Sequence, residues 1–136
     1  MNLDEFDTQP ASEAGVWVSL KHPDTGAVLP ARLRLRGHDA PSYQALRIEQ
    51  RRRRLEQLAR SNVDRVELEQ LDEETVEQLV CLTVDWEGLT RNGEAFSYSA
   101  ANARTLYTHK GWAWIREQAV AAIGNRANFL PPPASG

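Results

Sequence analysis

The sequence has a single cysteine and lacks the motifs that usually mark a catalytic centre. Cys81 has no second cysteine with which to form an intramolecular disulfide. It lies in the apolar run LVCLTV, where we expect a small buried hydrophobe and not a reactive thiol. There is no GxSxG, HExxH or CxxC motif and no glycine-rich phosphate loop. His22, His38 and His109 are each isolated from other ligand residues. We therefore predict no enzymatic activity, no metal site and no cofactor.

Long hydrophobic runs are also absent. No stretch approaches the roughly 20 apolar residues that cross a bilayer, and the N-terminus has no basic region followed by an apolar one. We therefore expect a cytoplasmic protein that makes no membrane contact. The 136 residues, 41% hydrophobic and 26% charged, are typical of one globular domain. The net charge of −3 argues against a protein whose whole surface attracts nucleic acid.

The N-terminal third predicts an arm followed by a β-hairpin. Residues 1–14 are acidic and contain few apolar groups, so we expect a flexible arm. Apolar and polar residues alternate from Val16 to Leu20 and again from about Val28 to Arg36, which is strand periodicity. The intervening HPDTG is a turn signal, so the two strands form an antiparallel hairpin. Its polar face carries three arginines: Arg32, Arg34 and Arg36. We interpret this face as solvated, with an anionic partner as the alternative.

Helices are expected to cover the apolar face of the hairpin. The first begins after the N-cap Asp39 and reaches about Arg60. Its predicted buried stripe is Ala45, Ile48, Leu55 and Ala59. The second runs from Asp64 to about Asp85, antiparallel to the first because the connection is short. Its predicted stripe is Leu68, Leu71, Val76, Leu79, Leu82 and Trp86.

The segment from Thr83 to Tyr107 predicts a joint between helical units. Gly88 lets the chain leave the second helix, and Asn92-Gly93 is a strong turn signal. Ser99 is a suitable N-cap for a third helix of about ten residues. In this third helix Ala103, Leu106 and Tyr107 share one face. A fourth helix is expected from about Trp112 to Ala127, with Trp112, Ile115, Ala119 and Ile123 on its apolar face. The prediction is one α+β domain over residues 15–130, mostly helical, with a two-stranded hairpin packed on about four helices. Residues 131–136 form a flexible proline-rich tail.

The most conspicuous charge feature is the run from Arg51 to Arg54. Residues 41–60 hold six arginines against two glutamates, a balance of +4, while residues 64–85 hold eight acidic residues against one arginine, a balance of −7. Four consecutive helical residues point in all directions and do not form one phosphate-binding face. We therefore favour charge pairing between the two helices over nucleic-acid binding. The candidate nucleic-acid residues of the alternative are Arg51, Arg52, Arg53 and Arg54.

Aromatic residues are concentrated in the second half of the chain. Trp86 and Trp112 lie on predicted apolar stripes and are assigned to the core. Trp114 is two residues from Trp112 and so falls on roughly the opposite side of its helix. Large amphipathic rings outside a core stripe are typical of protein interfaces. The candidate protein-binding residues are Trp114, Phe96 and Tyr98.

One pattern in this half resembles the tail assembly chaperones of long-tailed bacteriophages and prophages. It consists of Trp86-Glu87-Gly88-Leu89, Asn92-Gly93-Glu94, Tyr98-Ser99 with Asn102-Ala103 and Leu106, then Trp112 and an apolar helix ending in Phe129-Leu130. The resemblance implies a non-enzymatic protein of the host cytoplasm that coats the tape measure protein, the ruler of tail length, while tail tube subunits polymerise. It also implies the tape measure protein, and the tail tube protein in addition, as partners, and allows a homo-oligomer.

Two other functions remain open at the level of the sequence. One is a phage accessory or regulatory protein that binds nucleic acid through the arginine-rich helix. The other is a structural head–tail joining protein, which would remain in the finished particle.

Overall fold

The computed structural model describes residues 1–61 and 68–132, apart from the side chains of Ser61 and Leu68. Its α-helices are α1 Gln9–Ala14, α2 Pro41–Ser61, α3 Leu68–Leu82, α4 Ala100–Thr108 and α5 Ala113–Ile123. Its strands are β1 Val16–Lys21, β2 Val28–Leu35, β3 Thr83–Glu87, β4 Thr90–Arg91 and β5 Glu94–Ala95. Single 3₁₀ turns lie at Leu3–Phe6, Lys110–Trp112 and Arg126–Phe129. The fold is α+β and mostly helical, as the sequence predicts.

The predicted hairpin is confirmed, but the sheet contains one more strand. β1 and β2 pair antiparallel, with Val18 opposite Leu33. β3 then pairs antiparallel with the other edge of β2 and places Trp86 opposite Leu33. The predicted helix through Asp85 is therefore wrong, since α3 ends at Leu82. Thr83 and Val84 are β-branched, and the open edge of β2 offers them backbone partners that a solvent-exposed last helical turn does not.

A small second hairpin follows the sheet. Gly88 has a φ of +83°, and a Cβ there would lie 2.8 Å from the carbonyl oxygen of Pro30, so both conformation and space require glycine. Asn92 and Gly93 both have positive φ and connect β4 to β5, as a type I′ turn requires. The turn predicted from Asn92-Gly93 is confirmed, although the unit before it is a strand and not a helix.

The core lies between the three-stranded sheet and helices α3, α4 and α5. Its buried apolar side chains from the sheet are Leu20, Ala31, Leu33, Leu35 and Trp86. Those from the helices include Leu79, Leu82, Ala103, Leu106, Tyr107, Ile115, Ala119 and Ile123. The faces predicted for the third and fourth helices are therefore confirmed. The predicted cap of α4 is also present, because the Ser99 hydroxyl accepts a hydrogen bond from the amide of Asn102 at 3.0 Å.

The buried stripe predicted for α2 is wrong. Ile48 is 72% exposed and Leu55 58% exposed, and Ala45 and Ala59 are exposed as well. The buried residues of this helix include Tyr43 and Gln50, which lie on the opposite side. The sequence pattern identifies an apolar face, but the tertiary packing turns that face to solvent.

α2 and α3 pack antiparallel through polar contacts. Gln50 is only 3% exposed. Its side-chain amide donates to the carbonyl of Glu74 at 3.0 Å and to the carboxylate of Glu77 at 2.8 Å, and its oxygen accepts from Gln78 at 2.8 Å. About two turns further along α2, the side-chain amide of Gln70 donates a hydrogen bond to the side-chain oxygen of Gln57. The predicted antiparallel arrangement is therefore confirmed. The predicted start of the second helix, at Asp64, lies outside the described residues.

Part of the predicted N-terminal arm folds onto the domain. α1 belongs to residues 1–14, and its Ser12 is buried beside Gly37, where a Cβ would come within 2.7 Å of the serine oxygen. Glu13 accepts hydrogen bonds from the hydroxyl and the amide of Ser42 in α2. These hydrogen bonds lower the pKa of Glu13. The arm is therefore shorter than expected, and the flexibility of residues 1–8 stays a prediction.

The C-terminal end closes the core on one side. α5 ends at Ile123, before the predicted Ala127, and Phe129 is buried in the following 3₁₀ turn. Gln118 of α5 donates to the carbonyl of Lys21 at 2.8 Å and accepts from its amide at 2.9 Å. This pair of hydrogen bonds occupies part of the open edge of β1. Within the described ranges, no helix combines the length and apolarity needed to cross a bilayer.

Candidate functional site

The indole of Trp86 organises the aromatic residues of the second half. Its Nε1 donates to the carbonyl of Phe96 at 2.6 Å, and its ring stacks on Phe96 with centroids 5.5 Å apart. Tyr98 contacts the same indole edge-on, at 5.3 Å. The Tyr98 hydroxyl donates to the backbone carbonyl of Thr83 at 2.9 Å. The β4–β5 hairpin is thereby fixed against β3, and the ring of Phe96 is held near the start of α5.

An apolar pocket opens between this hairpin, the sheet and the start of α5, with a volume of about 190 Å³. We call it the aromatic pocket. It is lined by Leu20, Leu29, Ala31, Leu89, Thr90, Phe96, Leu106, Trp112, Trp114 and Ile115. Among these residues Thr90 contributes a hydroxyl, and the others are aliphatic or aromatic. Because the walls come from β1, β2, the small hairpin, α4 and the start of α5, the pocket depends on the complete tertiary fold.

The rim of the aromatic pocket is polar and centred on Trp112. The imidazole of His109 stacks on this indole, with ring centroids 4.0 Å apart. The guanidinium carbon of Arg91 lies 5.1 Å from the Trp112 ring centroid, within cation–π range. The His109 Nδ1 accepts a hydrogen bond from the amide of Gly111 at 3.1 Å, which orients the imidazole. An apolar interior with a cationic rim suits an apolar group that carries polar or acidic neighbours.

The structure brings together two of the three predicted protein-binding residues. Phe96 and Trp114 both line the aromatic pocket, whereas Tyr98 lies behind it against Trp86. The expectation that Trp112 and Trp114 point to opposite sides is wrong, since both line the same pocket. Lys110–Trp112 is a 3₁₀ turn and α5 begins only at Ala113, so the α-helical angle between the two positions does not apply.

Sequence reasoning missed the aliphatic walls of the pocket. Leu29 is half-buried at the start of β2, and Leu89 follows Gly88. The alternating pattern of β2 predicts that Leu29 faces the core, because Leu29 lies on the same side of the strand as Ala31 and Leu33. Leu89 carries no such signal, since its place depends on how the small hairpin folds back.

The arginine run of α2 is largely paired with carboxylates. Its partners lie in α2 and α3: Arg52 pairs with Glu49 and Glu56, Arg53 with Glu77 and Glu49, and Arg54 with Glu74. The predicted charge pairing between the two helices is confirmed for Arg53 and Arg54, whereas Arg52 pairs with carboxylates of its own helix. In the part of the chain that the structure describes, Arg51 is exposed and makes no ion pair. The run therefore does not present four free guanidinium groups on one surface.

The second cationic row, on β2, is also engaged. Arg32 pairs with Glu87 across the sheet, and its guanidinium lies 4.3 Å from the ring centroid of Trp17. Arg36 donates to the carbonyls of Glu13 and Cys81. These contacts hold α1 and the end of α3 to the strand. Arg36 therefore has a structural role, whereas the Arg32 side chain is partly exposed to solvent.

Titratable groups are dispersed over the fold. Burial raises the pKa of the Cys81 thiol, which keeps it protonated, and burial with the nearby Arg126 lowers the pKa of His38. Tyr107 is deeply buried, and this raises its pKa to about 12 despite its hydrogen bond with Thr83. Across residues 1–61 and 68–132, no three His, Cys, Asp or Glu side chains cluster closely enough to hold a metal ion.

Comparisons with known proteins do not identify a relative. No protein-family model matches the sequence, and no curated protein or solved structure is significantly similar to it. The function is therefore argued from the geometry of the aromatic pocket, together with the resemblance in sequence layout.

Proposed function

We propose that this protein is a non-enzymatic tail assembly chaperone of a long-tailed bacteriophage, which holds an apolar side chain of the tape measure protein in the aromatic pocket. The observation that carries the proposal is a pocket with nine apolar lining residues and one threonine, open at the surface of a small domain. The identity of the partner comes from the sequence resemblance. The mode of binding comes from the pocket.

The size of the pocket favours a side chain over a small-molecule ligand. Sites for drug-sized ligands occupy about 300–1,000 Å³, and the aromatic pocket has about 190 Å³. A cavity of about 150 Å³ is enough for a benzene ring. The pocket therefore accommodates one aromatic or branched aliphatic group, as when an anchor residue of an amphipathic helix enters a groove.

The chemistry of a tape measure protein fits this pocket. A long helical protein with exposed apolar positions aggregates unless those positions are covered. Covering them needs weak, repeated contacts with an apolar interior and no catalytic group. The guanidinium of Arg91 at the rim adds an attraction for acidic residues that flank the anchor.

A charged rim variant tests the proposal. Thr90 is exposed and lines the pocket, so Thr90→Glu places a carboxylate beside the apolar walls with little effect on stability. We expect helical fragments of a tape measure protein to bind this variant at least about tenfold more weakly than the unmodified chain. Isothermal titration calorimetry measures the difference.

The matched control is Ala101→Glu, which adds the same charge at an exposed position of α4 away from the pocket. It should bind like the unmodified chain. Equal binding by all three proteins, or no binding of any tape measure fragment, would overturn the proposal. Trp114→Ala should weaken both binding and stability, because Trp114 also packs against the core.

The two alternative functions predict different results. A nucleic-acid-binding protein should bind DNA or RNA at about 50 mM salt with a steep salt dependence, yet three of the four clustered arginines already have carboxylate partners. A head–tail joining protein should be found in purified particles, whereas a chaperone should be absent from them.

A further inference from the structure

α2 carries an apolar stripe that its own domain leaves uncovered. Its positions follow one another at spacings of three, four, three and four residues: Ala45, Ile48, Arg52, Leu55 and Ala59. Ile48 is 72% exposed and Leu55 58% exposed. This spacing is that of the a and d positions of a coiled-coil seam. We call these five residues the α2 seam.

The domain packs against the opposite side of the same helix. Tyr43 and Gln50 are buried, and Leu46, Arg54 and Leu58 are half-buried. At about 100° per residue, the average direction of these five lies roughly opposite the α2 seam. A second helix could therefore lie along the seam without displacing α3, and the two domains would stay on the outer sides of the pair.

Charges beside the α2 seam favour a second copy of this chain. With Ile48 and Leu55 at d, Glu49 and Glu56 occupy e positions, and Arg51 occupies a g position. In a parallel, in-register pair, Arg51 of one copy faces Glu56 of the other, and the two-fold axis repeats this contact. An antiparallel pair would instead bring Glu49 and Glu56 of the two copies together, which is repulsive.

Arg52 is compatible with this arrangement despite its charge. Its guanidinium is bracketed by Glu49 and Glu56 of the same helix. One guanidinium between two carboxylates leaves a balance of −1 on each copy, so the two copies of Arg52 would not meet as uncompensated positive charges. A polar residue at one a position of a coiled coil sets its register and its number of helices, at a cost in affinity. We therefore expect Arg52 to favour a dimer over other assemblies and to make that dimer weak.

We propose that α2 is a dimerisation helix, and that two copies of this protein associate through a parallel, in-register coiled coil along the α2 seam. The inference is independent of the proposed function, because the seam and the aromatic pocket share no residue. Since α2 has 21 residues, or about three heptads, the dimer should form in a concentration-dependent way.

Analytical ultracentrifugation of the full chain over a range of concentrations tests the proposal. Ile48→Glu should weaken dimerisation at least about tenfold, because it places a carboxylate in the apolar seam. Arg52→Leu should strengthen dimerisation at least about tenfold by completing the apolar seam. The matched control is Val28→Glu, at a position that is 68% exposed on β2, and it should dimerise like the unmodified chain.

The charge arrangement has its own test. Arg51→Glu should weaken the dimer, and adding Glu56→Arg should restore part of the loss, since the pair is then reversed in sign. In a Cys81→Ser background, Ala45→Cys should form a disulfide with itself in the parallel dimer when oxidised glutathione is added. An antiparallel dimer would instead link Ala45→Cys to Ala59→Cys in a mixture of the two variants.

Several outcomes would overturn the proposal. If both the unmodified chain and Arg52→Leu stay monomeric at the highest concentration, the seam has another occupant, such as a helix of a different protein. A dimer that survives Ile48→Glu uses another surface. Failure of tape measure binding with intact dimerisation would contradict the proposed function alone.

Discussion

Helices α4 and α5 pack on the domain by a different kind of contact from helix α2. α4 and α5 bury apolar side chains against the sheet, among them Leu106, Ile115 and Ile123. α2 buries the amide of Gln50 against α3 and turns Ile48 and Leu55 to solvent. The first contact is non-directional and scales with the apolar area removed from water. The second depends on paired donors and acceptors, each of which is costly to leave unpaired.

This difference shows that an apolar stripe on a helix does not by itself indicate the core. The stripes of α4 and α5 face the sheet, because a half-buried sheet needs an apolar cover. The stripe of α2 faces outward, because the opposite side of this helix packs on α3, where Gln50 is hydrogen-bonded to Glu74, Glu77 and Gln78. An apolar face that the domain does not use is available for a second protein chain.

The largest expected effect comes from a matched pair of substitutions in the two regions. Leu35→Ala removes a side chain that is fully buried in the sheet, and should lower the free energy of unfolding by about 2–5 kcal/mol. Leu55→Ala makes the same chemical change on the exposed face of α2 and should change it by less than about 0.5 kcal/mol.

Urea denaturation at a low protein concentration, where the dimer is dissociated, measures both values. Similar losses in the two variants would mean that the exposed face of α2 is covered within the monomer.

A smaller effect is expected at the polar contact between α2 and α3. Gln50→Leu leaves Gln78 and Glu77 without their buried partner, so the free energy of unfolding should fall by about 1–3 kcal/mol. Gln44→Leu, on the exposed side of the same helix, loses one solvent-exposed hydrogen bond to the carbonyl of His38 and should have a smaller effect. If the two variants melt alike, the buried amide does not hold the helices together.

The smallest effect concerns Asp39, just before α2. Hydrogen bonds from Arg126 and from Thr8 lower the pKa of Asp39 from 3.8 to about 2. A carboxylate whose pKa is depressed by folding stabilises the protein above its unfolded pKa, and this contribution is lost as the pH falls towards 2. Because the Arg126 side chain is largely exposed, we expect at most about 1 kcal/mol.

Chemical denaturation of the unmodified chain and Asp39→Asn between pH 5 and pH 2 measures this contribution. The stability difference should shrink as the pH falls. The control Ala101→Asn, an exposed substitution in α4 that changes no titratable group, should show no such trend. A constant difference across the range would contradict the lowered pKa of Asp39.

Local signals predicted much of the fold. The hairpin followed from strict alternation, which places Val18 and Leu33 on the same face. The Asn92-Gly93 turn and the Ser99 cap followed from residues with specific backbone or capping chemistry. The charge pairing of α2 followed from the opposite charge balances of two adjacent helices.

The errors arose where long-range packing competes with a local pattern. Thr83 and Val84 continue an apolar run whose pattern predicts a helix, but they belong to β3, which pairs with the free edge of β2. The candidate site was predicted in part: Phe96 and Trp114 line the pocket, while Leu29 and Leu89 come to it from positions distant in the chain.

The sequence by itself determined where turns and caps fall, which strands alternate, and which helix faces are apolar, because each depends on residues within a few positions of one another. Only the tertiary structure decided which apolar face enters the core, that a third strand joins the sheet, and that Trp112 and Trp114 share a pocket. Those outcomes depend on which surfaces remain available after the rest of the chain has packed, and this competition is decided between residues far apart in the sequence.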